Sequence, residues 1–432
     1  MSDEPLPPPL SSGEAIDRAL VRRVNECGLS PGMAIGVLDG DDQKFFTRGR
    51  TGLSGEPVDE QTIFEIGSIT KLFTALLLTD MAQRGEVSLN TAVADLLPME
   101  TRVPDRGGVP ITLAHLAMHT SGLPRLPDDI VVGSADPYAG YTPERLYGFL
   151  SRHQLRRTPG EGYEYSNLGA GLLGHALGLR AGCGYEQLLR TRILDPLAMS
   201  NTGIDWQPGT TARRAAGHDD SADPVADWTF GALAGVGAMQ STAQDLIRFL
   251  AALTAEDGPF GPALGTMLEP GTAGGLGFGL PQDSGLLAMQ HEGGTGGFRS
   301  YMGCVPRWRR GAVVFANASS GAVTDLGIHC CDQRWGLRWY RQAIAVEPAH
   351  FDRLVGTYRM QPALLFDVTR SGTRLMVQLT GQRALQVFPS AEWHFFYKAV
   401  GAQITFEPGP DGRAARLILH QNSLDQIAER LS

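Results

Sequence analysis

The stretch Phe64-Glu65-Ile66-Gly67-Ser68-Ile69-Thr70-Lys71-Leu72-Phe73-Thr74-Ala75-Leu76-Leu77-Leu78 sets a hydroxyl and an amine three residues apart at the head of an apolar run. If Ser68 opens a helix, residues i and i+3 share a face and Lys71 lies one turn behind the hydroxyl. A helix N-terminus also offers free N–H groups and partial positive charge where an oxyanion would form. Serine is a weak nucleophile, and a neutral lysine within hydrogen-bond reach can activate it. Neutrality near pH 7 means lowering a lysine pKa of about 10.4 by roughly three units, about 4 kcal/mol. Burial against Leu72 and Leu76 can supply that. The chain has only three lysines, Lys44, Lys71 and Lys398, so 34 of its 37 basic residues are arginine. Arginine keeps its proton in a protein and could not replace Lys71 as a base. Singly, Ser-x-x-Lys turns up by accident about once in a chain of this length.

Composition sets the outer bounds. At 432 residues there is room for two or three domains with real cores. Apolar and charged fractions of 42% and 19% are those of a globular protein. A net charge of −9 argues against nucleic acid or an anionic membrane as the main partner. No segment approaches the roughly 18 consecutive apolar residues of a membrane span. Met1 to Leu10 is acidic and proline-rich, without the basic and apolar regions of a secretory signal. Five cysteines (27, 183, 304, 330 and 331) without CxxC spacing suggest neither a disulfide framework nor a zinc site. The expected location is cytoplasmic.

Along the chain, residues 1–12 read as a flexible leader, followed by a helix from about Gly13 to Glu26. Met33 to Leu38 and Gln43 to Arg50 read as a hairpin. The Ser68 helix should run to about Arg84 and stop at Gly85. Helices are then expected at Ile111–Thr120, Pro143–Arg152, Leu168–Leu179, Tyr185–Leu194 and Thr242–Ala252. Strands return at about Ala288–Gln290, Arg299–Val305 and Ala312–Ala316, with a helix over about Val323–Ala345. After Pro348 short apolar segments alternate with turns such as Ser371-Gly372, the spacing of an antiparallel sheet or small barrel. The expected organisation is a leader (1–12), a main domain (13–347) and a β domain (348–432).

Two further stretches carry chemistry. In Pro159-Gly160-Glu161-Gly162-Tyr163-Glu164-Tyr165-Ser166-Asn167, an extended loop would point residues 165 and 167 the same way, a phenol and a carboxamide facing one cleft. A phenol near a lysine can be held partly ionised and pass a proton from serine to a leaving group. In Gln290-His291-Glu292-Gly293-Gly294-Thr295-Gly296-Gly297, glycines after a strand let backbone approach a ligand. A free N–H there could complete an oxyanion hole with that of Ser68. Alternation turns His291 and Gly293 to the cleft and Glu292 away. Taken singly, these are a tyrosine-rich turn capping a helix and a glycine-rich turn.

Together and in this order the three resemble the class C β-lactamase, serine DD-peptidase and family VIII esterase group of penicillin-recognising serine hydrolases. The resemblance covers about residues 13–345 and includes Ile111 to Pro124, Ile193 to Met199 and Ser241 to Leu246. The chain after 347 is similar to the lipocalin-like domain appended to some members. The resemblance implies an α+β, β-lactamase-like transpeptidase fold: an antiparallel sheet flanked by helices, an all-helical subdomain, and a cleft between. It implies Ser68 as the acylated nucleophile, Lys71 as its activator and Tyr165 as proton shuttle. Asn167 would bind the acyl-side amide, and the N–H groups of Ser68 and Gly294 would form the oxyanion hole. No metal or organic cofactor is implied. Where many members have Lys-Thr-Gly, this chain has His291-Glu292-Gly293. That lysine is a permanent cation for a substrate carboxylate, whereas histidine is mostly neutral at pH 7. Binding of β-lactams and C-terminal carboxylates should weaken, as in esterases and D-amino-acid peptidases of the group.

The expected activity is thus cleavage of an ester or amide of a small molecule or short peptide. An acyltransferase using the same acyl-enzyme, or a penicillin-binding sensor that acylates once and stops, are the alternatives. Gly28-Leu29-Ser30-Pro31-Gly32 matches a nucleophile elbow, but that elbow needs the N–H after serine, which Pro31 lacks, and it should follow a strand. His115 and His119, at i and i+4, lack the HExxH glutamate and read as packing residues. Trp228, Phe230 and the run to Gly237 read as cleft lining or core. His329-Cys330-Cys331 reads as a buried structural group. The β domain would cover the cleft mouth or join subunits into a homo-oligomer.

Overall fold

The computed structural model describes residues 8–131, 133–204, 211–255, 257–268, 276 and 289–431. Residues 1–7 of the expected leader and Ala288 of the expected strand lie outside the described residues. At the centre is a five-stranded antiparallel sheet in the order 42–49, 32–39, 310–316, 299–305, 289–294. Two of its three inner strands, Gly32–Asp39 and Arg310–Ala316, are apolar almost throughout because both faces are covered. Met33, Ile35 and Val37 pack with Ile16 and Leu20 of helix Gly13–Leu20 and Leu326 and Cys330 of helix Thr324–Cys331. Ala34 and Leu38 turn the other way, into the large core that holds helices Thr70–Gln83 and Ala243–Thr254.

Helix Thr70–Gln83 is buried on every side, from Thr70 to Thr79 without a break. That explains a sequence apolar all round rather than on one stripe. Phe73 stacks on Phe249 at 4.2 Å, and the Thr74 hydroxyl lies 2.5 Å from the Tyr185 hydroxyl. The helix ends at Gln83, and Gly85 follows with φ +70°. Pro143–Arg152 and Arg299–Val305 form as expected, and Thr142, Ser166 and Thr242 cap helices through their hydroxyls.

Three expectations need correction. The helix within Ile111–Thr120 is only Leu113–Ala117, closed after Met118 by His119 in the left-handed region (φ 57°). The strand expected to end at Gln290 is Met289–Gly294, so the histidine and both glycines lie within it, paired to Arg299–Met302 and its neighbours. The long helix over 323–345 is only Thr324–Cys331. There Asp332 turns the chain by accepting from the Arg334 N–H, and Asp325 and His329 bind the backbone of Arg338 and Trp335, so local side chains capture groups a helix would need.

Residues 356–430 form a closed eight-stranded antiparallel barrel whose strands follow sequence order, Gly356–Gln361 closing against Leu424–Arg430. Its interior is filled by Tyr358, Phe366, Phe395, Phe406, Leu417 and their neighbours. The fold is therefore α+β, with the barrel appended. Arg374 pairs with Asp223, Arg383 with Asp220 at 3.4 Å, and Lys398 Nζ donates to the Gly28 carbonyl at 2.7 Å, fastening the barrel to the main body. Among the described residues, no helix is long and apolar enough to cross a membrane.

Candidate active site

Ser68 sits in a single 3-10 turn, Gly67–Ile69, that runs into helix Thr70–Gln83. Gly67 has φ +49°, and a Cβ there would lie 2.6 Å from the Gly294 nitrogen. Only glycine allows both that conformation and that approach. The serine turn and the end of the edge strand therefore meet backbone to backbone. On the same strand, a Cβ at 293 would collide with the Ile66 carbonyl oxygen, which accepts from the Ser300 hydroxyl at 2.8 Å.

Lys71 Nζ lies 2.9 Å from Ser68 Oγ and 2.7 Å from the Val236 carbonyl oxygen. It is 3% exposed, and among the described residues no carboxylate is within ion-pair distance. Burial pushes its pKa well below the ordinary lysine value, and the Arg125 charge pushes the same way. A neutral amine has two N–H bonds and one lone pair. Val236 O takes an N–H, which leaves the lone pair for the Ser68 proton.

Tyr165 completes the corner. Lys71 Nζ is 5.1 Å from the centre of its ring, and the His119 ring is 4.5 Å away. Burial raises the phenol to about 12, with a hydrogen bond from Ser68 pulling the other way. The expected partial ionisation is thus corrected: the phenol is neutral at pH 7. The reason is that burial of the phenol outweighs both the Ser68 hydrogen bond and the Arg125 charge, which favour the phenolate.

Asn167 is the first residue of helix Asn167–Arg180, not part of an extended loop. Its amide N–H donates to the Tyr138 hydroxyl at 2.9 Å, while its buried oxygen has no partner among the described residues. His291 Nδ1 is 2.7 Å from the Glu292 carbonyl oxygen, so Nδ1 carries the proton and Nε2 is free. Burial lowers its pKa to about 4. Glu292 is exposed and turned to a cavity of about 630 Å³ beside the barrel, as alternation requires.

The family model described as Beta-lactamase matches residues 18–327. The chain belongs to the beta-lactamase family. A second model, described as Domain of unknown function (DUF3471), matches residues 340–430, the linker and barrel. The family member D-alanyl-D-alanine-carboxypeptidase/endopeptidase AmpH of Escherichia coli is 32% identical over 358 residues, 75% of this chain and 90% of that protein. The beta-lactamase/D-alanine carboxypeptidase of Yersinia pestis, solved with citrate, superposes with a TM-score of 0.60 at 26% identity, covering 71% of this chain and 94% of that one. The octameric penicillin-binding protein homologue from Pyrococcus abyssi aligns over 97% of this chain and 100% of that one, at TM-score 0.66 and 20% identity. At that identity it shows the fold alone, barrel included. Family membership makes this chain a serine hydrolase.

Several neighbours of the corner left a weak signal in the sequence or none. Val236 acts through a backbone carbonyl, which no side-chain motif announces. Tyr138 reaches Asn167 from a loop and stacks on Phe230 at 4.8 Å, with Trp228 at 5.7 Å. His119 accepts the Ser166 N–H at 3.1 Å and so fixes the loop that carries Tyr165, while His115 accepts the Thr112 N–H at 3.2 Å as part of a helix cap. Both histidines are thus engaged by backbone, and the periodic i, i+4 spacing was the only hint that they mattered.

Proposed function

We propose that this family member cleaves an ester or amide of a small molecule or short peptide through an acyl-enzyme on Ser68. The observation that carries the reading is Lys71 Nζ, buried and without a carboxylate, at 2.9 Å from Ser68 Oγ. Lys71 takes the serine proton as the oxygen attacks the carbonyl carbon. Tyr165, neutral and beside Ser68, gives a proton to the leaving oxygen or nitrogen as its bond to carbon breaks, and regains one from Lys71. The N–H groups of Ser68 and Gly294 receive the developing oxyanion, a role supported by the contact between Gly67 and Gly294. Asn167 Oδ1, lacking a partner, suits a substrate amide N–H. His291 and Gly293 border the acyl group from the strand. Water then attacks the ester and frees Ser68.

A neutral His291 supports esters and short peptides over β-lactams. The name of the Escherichia coli relative makes D-alanyl peptides the first peptides to try. The octameric homologue supports a self-associating chain, and five free thiols support a reducing, cytoplasmic setting. Intact-protein mass spectrometry with a fluorophosphonate, followed by peptide mapping, tests the reading. One adduct on Ser68 is expected; an adduct elsewhere, or none, overturns it. An amine or alcohol acceptor added to a p-nitrophenyl ester assay separates the acyltransferase: acyl product on the acceptor in preference to water would replace the hydrolase reading.

A further inference from the structure

Arg125 lies beside the proposed catalytic residues but outside the expected constellation. Its guanidinium carbon is 5.3 Å from the centre of the Tyr165 ring, the ring that also has Lys71 Nζ at 5.1 Å. Its charge helps lower the pKa of Lys71 and His119 and acts on Tyr138, Tyr163 and Tyr165 as well. The residue is anchored: its carbonyl oxygen accepts from the N–H groups of Asn167 at 3.0 Å and Leu168 at 3.2 Å. The backbone that sets Tyr165 and Asn167 therefore also sets Arg125. Its side chain is exposed, so it keeps its charge without a desolvation cost.

Among the described residues, no carboxylate lies within ion-pair distance of Arg125. Arg145, Arg152 and Arg157, by contrast, each engage one: Asp129 at 3.3 Å, Asp128 at 2.8 Å and Glu164 at 2.5 Å. Lys71 and His291 are both held toward their neutral forms, which leaves Arg125 as the permanent cation touching the Tyr165 ring. A planar guanidinium with an open fork suits a carboxylate better than any other common substrate anion short of phosphate.

We propose that Arg125 reads the substrate's charge, so that the preferred substrate carries a carboxylate on the Tyr165 side of Ser68. This rests on the acyl-enzyme reading above. The anion would be held from the loop that carries Arg125, beside the Tyr165 ring. It can belong to the acyl half or to the leaving half of the substrate; the chemistry recognised is the same.

Two matched ester pairs test it. In the acyl pair, mono-4-nitrophenyl adipate is set against methyl 4-nitrophenyl adipate. In the leaving-group pair, 3-acetoxybenzoate is set against its methyl ester. The measured quantity is the ratio of kcat/KM for the charged member over the neutral one, in wild type, Arg125→Ala and Arg125→Lys. Loss of one charge-assisted contact should reduce that ratio about 10- to 100-fold in Arg125→Ala, mainly through KM. Arg125→Lys should restore part of it. A drop confined to the first pair puts the anion on the acyl half, and one confined to the second puts it on the leaving half. An unchanged ratio in both pairs, or equal loss on charged and neutral members, overturns the proposal. Fluorophosphonate labelling of the same proteins separates the two readings. Label on Ser68 with no charge preference sinks the role of Arg125 alone, whereas no label sinks the acyl-enzyme and this proposal with it.

Discussion

Two corners of the molecule bury a lysine close in sequence or space to a serine, and only one is built to react. At the first, Lys71 Nζ touches Ser68 Oγ at 2.9 Å. At the second, where the barrel meets the main body, Lys398 Nζ grips the Gly28 carbonyl at 2.7 Å, two residues before Ser30. Burial lowers the pKa of both lysines, Lys398 to about 8. A lowered lysine is therefore a sign of burial and not of catalysis. What differs is the acceptor. Lys398 faces a carbonyl oxygen and the face of Phe388, 4.2 Å away, and neither has a proton to give. Lys71 faces a hydroxyl, which does.

The sharpest way to break this contrast is Lys71→Arg. The variant keeps a long hydrogen-bonding side chain but, being always charged, cannot accept a proton. Ester turnover should fall about 10²- to 10⁴-fold, the usual contribution of a positioned base. In the wild type the active form has a neutral Lys71, so kcat/KM falls as pH drops through its lowered pKa. That acid limb should vanish from the residual activity of the variant. A variant that keeps wild-type turnover and the same pH profile would mean that Lys71 is only a structural prop.

Lys398→Met tests the other corner through stability. The folded pKa, about 8, lies below the unfolded value of about 10.4. Below pH 8 both states hold the proton and this group adds no pH dependence. From pH 8 to about 10.4 the unfolded chain holds more of it, so stability from this group rises with pH, then levels off. Denaturant titrations of Lys398→Met across that window should lose this rise, while ester turnover stays within about twofold of wild type, the small effect usual for a change outside the site. Retention of the full rise would show that Lys398 is not the buried proton acceptor at the junction.

The sequence made the first corner legible because its parts are local or periodic. Ser68 and Lys71 are tied by helix spacing, and Arg299–Val305 and Pro143–Arg152 by alternation and an N-terminal proline. What failed was what depends on distant partners. The helix expected over 323–345 stops at Cys331 because Asp325, His329 and Asp332 bind backbone beyond it. The ionisation expected of Tyr165 left out how deeply distant elements bury the phenol, and that burial raises its pKa. Val236 enters the site through a backbone carbonyl at the end of the 3-10 segment Gly231–Val236, and Arg125 from a loop, with no spacing to announce either.

The smallest effect belongs to Ser30→Ala, and it is the one that closes the rival reading of the second corner. The Ser30 hydroxyl is shared between the Gly32 carbonyl at 2.8 Å and the Asn317 side-chain oxygen at 2.9 Å. Among the described residues it has no amine or imidazole partner to take its proton. It precedes strand Gly32–Asp39 where an elbow would follow one, and Pro31 offers no N–H to an oxyanion. Asn317 Oδ1 keeps its bond from the Gly32 N–H at 2.7 Å when the hydroxyl is removed, so the loop retains its main tie. The cost should be about 1 kcal/mol of stability, with turnover and Ser68 labelling unchanged. Lost turnover in a variant that melts like the wild type would mean that the nucleophile lies in the junction loop, and the order of the two corners would be reversed.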